Sequence, residues 1–187
     1  MVSDSRFMKD KVELRTERLL LRRYQRSDIP ALLPLIGARE VAAQTLRIPH
    51  PYTEADARMM LHRFRSEGAH WFGIFLQPDE QLCGGAGLTV DQNHNRAEIG
   101  YWVGVPFWGQ GIASEAAREL MRYGFEDLKL HRIYAVCYTG NDASIRILEK
   151  FGMKHEGHSR QHFRKWGEYR DAENYGILAD EWRAGRL

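Results

Sequence analysis

The chain has 187 residues, 43% of them hydrophobic and 28% charged, with a net charge of +2. That is the make-up of one globular domain able to bury roughly 70% of its unfolded surface, and it excludes disordered and fibrous classes. No run approaches the ~20 apolar residues that span a bilayer, and the charge is too small to point to nucleic acid or a membrane surface.

Residues 1–13 read as an N-terminal extension and 14–187 as a single domain. The opening MVSDSRFMKDKVELR has charge with no apolar run behind it, so it is no signal peptide, and a cytoplasmic protein is expected. RLLLRRY (18–24) predicts a strand. Ser27 and Asp28 then offer N-caps, with Pro30 just inside a helix carrying Leu32, Leu33 and Ile36. TEADARMMLHRF opens on a capping box, Thr53 with Asp56, and places Ala57, Met60, Leu61 and Phe64 on one helical face.

HWFGIFL, LCGGAGLTV and AEIGYWVG are strand-like runs joined by short turns, which predicts an antiparallel meander. A helix is expected from about Ile112 to Glu126, with Ala113, Ala116, Ala117, Leu120 and Met121 on a common side. LHRIYAVCY reads as a further strand and NDASIRILEKFG as a short helix capped by Asn141 and stopped by Gly152. HFRKWGEYRDAENYGIL reads as a hairpin turning at Trp166-Gly167. Cys83 and Cys137 sit in apolar runs and read as small buried hydrophobes, with a disulfide as the alternative.

YWVGVPFWGQGIASEA (101–116) sets strand, tight loop and helix in succession. The first N–H groups of a helix and the positive end of its dipole attract an anion, and glycines let a phosphate approach without a Cβ in the way. A P-loop is excluded, since its Lys and wider glycine spacing are missing. A dinucleotide fingerprint fits poorly: Gly109-x-Gly111 is followed by Ser114, and no strand ending in an acidic residue lies about twenty residues on. Glycines that merely turn the chain are the remaining alternative.

WGQGIASEA resembles the acyl-CoA pyrophosphate loop of the GNAT superfamily of N-acetyltransferases, [RQ]-x-x-G-x-[GA] followed by a helix. Gly111 and Ala113 fill the last two places, and Trp108 stands where Arg or Gln is usual, a departure shared by the RimJ/RimL branch, which acetylates protein N-terminal α-amines and related small amines. TERLLLRRYQRSDIPAL, AEIGYWVG, NDASIRILEKFGM and EYRDAENYGILADEW resemble that branch in the same order, over about residues 14–182. The resemblance implies an α/β (α+β) domain with a mixed, mostly antiparallel twisted sheet of about seven strands flanked by about four helices. It also implies acetyl-CoA as cosubstrate with no metal, an amine acceptor, no nucleic acid or membrane partner, and a monomer or homodimer.

By the same resemblance, the backbone of Gln110, Gly111, Ile112, Ala113 and Ser114 cradles the pyrophosphate, and the pantetheine runs between the strand ending near Gly104 and that of residues 130–138. Asn141 matches the family's pantetheine-side Asn, while a helix N-cap is compatible with the same position. Amide donors between Val103 and Val105 fit the oxyanion site. Many members carry a Tyr acid seven residues after the Asn; here that place is Leu148, and Ser144 is the substitute the branch suggests, with a capping or solvated Ser as the alternative.

An amine attacks a thioester only when neutral, and with α-amines titrating near ~8 and Lys near ~10.4 a base must remove a proton. Glu98, the lone carboxylate of AEIGYWVG, is the candidate; pairing with Arg96 or another cation is the alternative. Tyr101 and Phe107 are expected to line the acceptor groove. His155, His158 and His162 lack the Cys or carboxylate set of a zinc site. Arg164, Lys165 and Arg170 read as a solvated hairpin edge or as partners for substrate carboxylates. A non-catalytic acetyl-CoA-binding module and a nucleotide-dependent oxidoreductase are the rival functions.

Overall fold

The computed structural model describes residues 12–64, 66 and 68–185, so the first eleven residues of the expected extension lie outside the described residues. The strands are β1 (Leu14–Arg15), β2 (Leu19–Arg22), β3 (Ala69–Leu76), β4 (Gln81–Asp91), β5 (Arg96–Val103), β6 (Arg132–Tyr138), β7 (Lys154–Lys165) and β8 (Glu168–Leu178). The helices are α1 (Ile29–Ile36), α2 (Arg39–Gln44), α3 (Glu54–Arg63), α4 (Ile112–Arg122), α5 (Asp142–Lys150) and α6 (Ala179–Ala184). One sheet runs β1-β2-β3-β4-β5-β6-β8-β7. Its pairs are antiparallel except β5 with β6.

Among the described residues the sheet therefore has eight strands rather than about seven, the extra one being the two-residue β1, and there are six helices rather than about four. Short α2 and α6 carry too few turns for a hydrophobic period to show. Alternation along the strands sorts apolar residues onto two faces. Leu19 and Leu21 of β2 join Phe72, Ile74, Leu88 and Ile99 beneath Ala116, Ala117, Leu120 and Met121 of α4. Leu20, between them, faces the other way and packs with Phe75 and Trp102 under Leu32 and Ile36 of α1 and Ala57 and Leu61 of α3.

Local chemistry sets the ends. Thr53 Oγ1 accepts from the Asp56 amide at 3.2 Å and Asp56 accepts from the Thr53 amide at 2.8 Å, the reciprocal box that starts α3. Asp28 occupies the N-cap position of α1 without a side-chain cap bond. Its carboxylate instead accepts from the Gln25 amide at 2.7 Å and from the Arg22 guanidinium at 2.9 Å. α4 continues through a wider π-type turn over Tyr123–Asp127, which matches the expected length of the helix but not its uniform winding. The β7–β8 hairpin turns at Trp166 and Gly167, both left-handed at φ 51° and 89°, as a two-residue turn that follows strand twist requires.

Cys83 and Cys137 are free and buried. Burial pushes their thiols up to about 12 and about 11, so both stay protonated and unreactive. No helix among the described residues is long and apolar enough to cross a membrane.

Candidate active site

β5 and β6 pair in parallel only at Arg96–Arg132, Ala97–Ile133 and Glu98–Tyr134. Beyond Glu98, β5 stays on β4 as far as Val103–Gly84, while β6 stays on β8 as far as Tyr138–Ala172. The two strands part in the middle of the sheet, and a cavity of about 730 Å³ opens in the gap, lined by Ile99 to Trp102 on one side and Ala135 to Cys137 on the other. Its volume lies within the range of small-molecule sites.

The loop after β5 delivers the start of α4. Gly109 and Gly111 are left-handed at φ 74° and 77°, a region that excludes most side chains. Gly111 is the N-cap, and no side chain caps the helix, so the first-turn amides of Ile112, Ala113 and Ser114 have the geometry of an anion cradle. A Cβ at Gly109 would meet nothing within 4 Å, and one at Gly111 would come 3.5 Å from the Arg18 guanidinium. These residues fit a pyrophosphate. Trp108 donates its indole N–H to the Val103 carbonyl at 2.7 Å, bracing the loop at the place where Arg or Gln is usual in the motif. Two cations approach from elsewhere. Arg18 donates to the Gln110 carbonyl at 3.1 Å and lies 2.7 Å from Glu115, and Lys150 of α5 donates to Ser114 Oγ at 3.4 Å. Burial pushes the Glu115 carboxyl up, but hydrogen bonds from Thr16 and Arg18 outweigh it and leave the group below the usual range.

Glu98 lies on the cavity wall, 17% exposed, with Oε2 accepting from Arg47 at 2.9 Å. The cation is thus Arg47, from the connection between α2 and α3; Arg96 pairs with Asp91 at 3.2 Å instead. Tyr101, three residues along β5, projects to the opposite face and packs with the α4-side core. Its hydroxyl donates to the Ser144 carbonyl at 3.4 Å, and burial holds its pKa well above the ordinary value. Asn141 caps α5, accepting from the Ser144 amide at 3.2 Å, and also donates to the Gln44 carbonyl at 3.2 Å. Tyr101, Asn141, Ser144 and Leu148 share the cavity with Glu98.

Other expected residues fall elsewhere. The cavity wall on β5 runs to Trp102 and stops short of Val103 and Val105. The Gly104 amide between those two is already donated to the Cys83 carbonyl at 2.9 Å, and Val105 faces solvent. Phe107 packs half-buried against the α4-side core and is not on the cavity wall. His155 and His158 bind the Glu173 carboxylate at 2.7 and 2.8 Å, and His162 packs edge-on to Phe163. Among the described residues no cluster of His, Cys, Asp and Glu has the geometry to hold a metal.

Lys165 departs from both readings of the hairpin charges. It is 7% exposed, and its ammonium donates to the carbonyls of Thr45 and Ile48 at 3.1 and 2.5 Å. It thus ties the segment that carries Arg47 to the hairpin. Desolvation pulls its pKa below the ordinary lysine value. The partners of Arg18, Arg47 and Lys165 carried no mark in the linear sequence because each meets them from an element far along the chain.

A single parallel pair in an otherwise antiparallel sheet is not the doubly wound frame that a dinucleotide fold requires, which removes the oxidoreductase reading. A family model described as Acetyltransferase (GNAT) domain matches residues 18–154. Uncharacterized N-acetyltransferase YnaD of Bacillus subtilis (strain 168) is 31% identical, over 91% of this chain and 99% of its own length. A [Ribosomal protein uS5]-alanine N-acetyltransferase of Escherichia coli (strain K12) is 27% identical, over 68% of this chain and 67% of its own. The crystal structure of a GNAT-family acetyltransferase from Bacillus anthracis superposes with a TM-score of 0.81 at 30% identity, covering 90% of this chain and 99% of that one. Because the family match runs from the start of β2 past the end of α5, and so takes in the splayed strands and the glycine loop together, this chain belongs to the GNAT family and is an N-acetyltransferase of that type.

Proposed function

We propose that the protein transfers an acetyl group from acetyl-CoA to a primary amine, either a protein N-terminal α-amine of the ribosomal-protein type or a small-molecule amine, by direct attack in a ternary complex. The observation that carries this reading is an uncapped α4 start next in the chain to the strand β5 that parts from β6, with an open cavity in the gap between those two strands. Relatives that share the family, and the Escherichia coli enzyme named for a ribosomal-protein alanine, support the acceptor class. A cytoplasmic monomer or homodimer, acting without metal, nucleic acid or membrane, fits this role.

Acetyl-CoA would supply the acetyl group as an activated thioester. The amides of Gln110 to Ser114 would hold the pyrophosphate, with Asn141 beside the arm. Glu98, oriented by Arg47, would take a proton from the amine, directly or through water. The amine nitrogen bonds to the carbonyl carbon, the carbon–sulfur bond breaks, and the thiolate takes up a proton, so the balance is one amide and one free thiol. Main-chain donors near Val103 to Val105, or further back on β5 where the cavity wall lies, would meet the carbonyl oxygen. Ser144 or Tyr101, whose hydroxyl reaches the Ser144 carbonyl, would protonate the sulfur. Strand alternation supports this division, since it sets the base and the phenol on opposite faces of β5.

The experiment has two arms. Acetyl-CoA at 100 times its dissociation constant should stabilise the fold by about 2.7 kcal/mol while NAD does nothing. Free thiol should then appear when amines are added. A shift without thiol release across peptides and small amines would instead favour a non-catalytic binding module.

A further inference from the structure

Away from the β5–β6 gap the cavity wall is an aromatic stack. Trp71 lies against two glycines of the sheet, where a Cβ at Gly87 would fall 2.5 Å from the indole and one at Gly100 2.8 Å. Phe64 stacks on the same ring, with centroids 4.9 Å apart and planes 9° apart. Ile48, Met59 and Met60 extend this apolar surface, and Met59 is 65% exposed at its edge. Thioether side chains adapt their shape to flat apolar groups and make favourable contacts with rings.

Charge is scarce and committed. Among the described residues the charged side chains of the wall are Arg47, Arg63, Asp56 and Glu98, two of each sign. Glu98 is held by Arg47 at 2.9 Å, and Asp56 accepts from the Thr53 amide and hydroxyl at 2.8 and 2.5 Å. An ammonium beyond the reacting one would sit beside two guanidiniums, with both carboxylates already bonded.

We infer that the acceptor is a primary monoamine on a flat apolar body, whether a free arylalkylamine or the α-amine of an aromatic first residue, and that polyamines are rejected. This rests on the acetyl-transfer reading above and narrows its acceptor. The group that enters lies on the Trp71–Phe64 side of the gap, with its amine toward Glu98 and its ring against the stack.

The test is free-thiol release by the full chain with acetyl-CoA and, in turn, 2-phenylethylamine, butylamine, spermidine, and short peptides beginning with Phe or Ser. The better of the aryl amine and the Phe peptide should exceed spermidine in kcat/KM by about tenfold or more, and which of the two leads identifies the source. Trp71→Ala should raise KM for the aryl amine more than for butylamine. Met59→Glu, at an exposed edge where folding is not at stake, adds an uncommitted carboxylate and should shift the preference toward spermidine without changing KM for acetyl-CoA. Spermidine used as well as the aryl amine, or a preference unmoved by Met59→Glu, overturns this inference alone. No thiol release with any amine, while acetyl-CoA still raises the thermal midpoint, overturns the acetyl-transfer reading and this inference with it.

Discussion

Glu98 on β5 and Arg47 on the α2–α3 connection meet at 2.9 Å across the cavity, joining a carboxylate on the sheet to a cation on the segment that covers it. The pair holds the carboxylate proposed as the base in one orientation. Glu98→Gln should lower kcat/KM at neutral pH by about 10²-fold or more, as loss of a general base does. The deficit should be largest at low pH and shrink as the amine deprotonates unaided, which a pH–rate profile of both proteins would reveal. Equal rates at every pH would clear Glu98 of the role.

Gly111 adopts φ 77° at the N-cap of α4. Gly111→Val puts a branched side chain where the diphosphate is proposed to lie and forces a left-handed valine, a backbone strain of about 1–3 kcal/mol. The variant should melt several degrees lower yet remain folded, and acetyl-CoA should no longer raise its melting temperature. A normal ligand-induced shift would refute the loop assignment.

Tyr101 and Ser144 meet where the leaving sulfur is expected, the phenol donating to the Ser144 carbonyl at 3.4 Å. Because a thiolate leaves fairly readily, loss of the donor should cost only about tenfold in kcat. Tyr101→Phe is expected to show that loss with little change in KM for acetyl-CoA, and Ser144→Ala a smaller one. The reverse order in steady-state kinetics would return the role to Ser144.

Lys165 reaches into the protein to bond two carbonyls of the Thr45–Ile48 segment. Lys165→Met fills similar volume but leaves those acceptors unsatisfied, at a cost of about 1–3 kcal/mol. Since the same segment carries Arg47, the variant should also raise KM for the amine more than KM for acetyl-CoA. Urea denaturation and the two KM values measure these effects separately.

Hydrogen bonds from Thr139, His158 and His155 pull the Glu173 carboxyl from 4.5 down to about 2. A carboxylate depressed on folding stabilises the protein above its unfolded pKa and loses that contribution as pH falls through the folded value. Glu173→Gln should therefore melt below the wild type at neutral pH, with the gap closing between about 4.5 and about 2. The Glu173 hydrogen bond from His158 raises that imidazole above its ordinary value, so its share is complete below 6.5 and fades as pH rises past the raised pKa. Melting temperatures across this range decide the matter.

Much of the architecture was legible in residue order because its causes are local. Thr53 and Asp56 write a helix start within four residues, Gly111 permits a left-handed N-cap, and alternating leucines in β2 sort themselves between two faces. The glycine loop, the candidate base Glu98 and the Asn141–Ser144 cap were likewise readable, since each depends on neighbours a few residues away. Only the folded chain decided that Arg47 rather than Arg96 faces Glu98, that Lys165 is buried under the α2–α3 connection, and that the Tyr101 hydroxyl reaches Ser144 across the gap. Those relationships join positions from 43 to 120 residues apart, or depend on where two strands cease to pair, and a charge carries no mark in the linear sequence of which distant partner will share its low-dielectric surroundings.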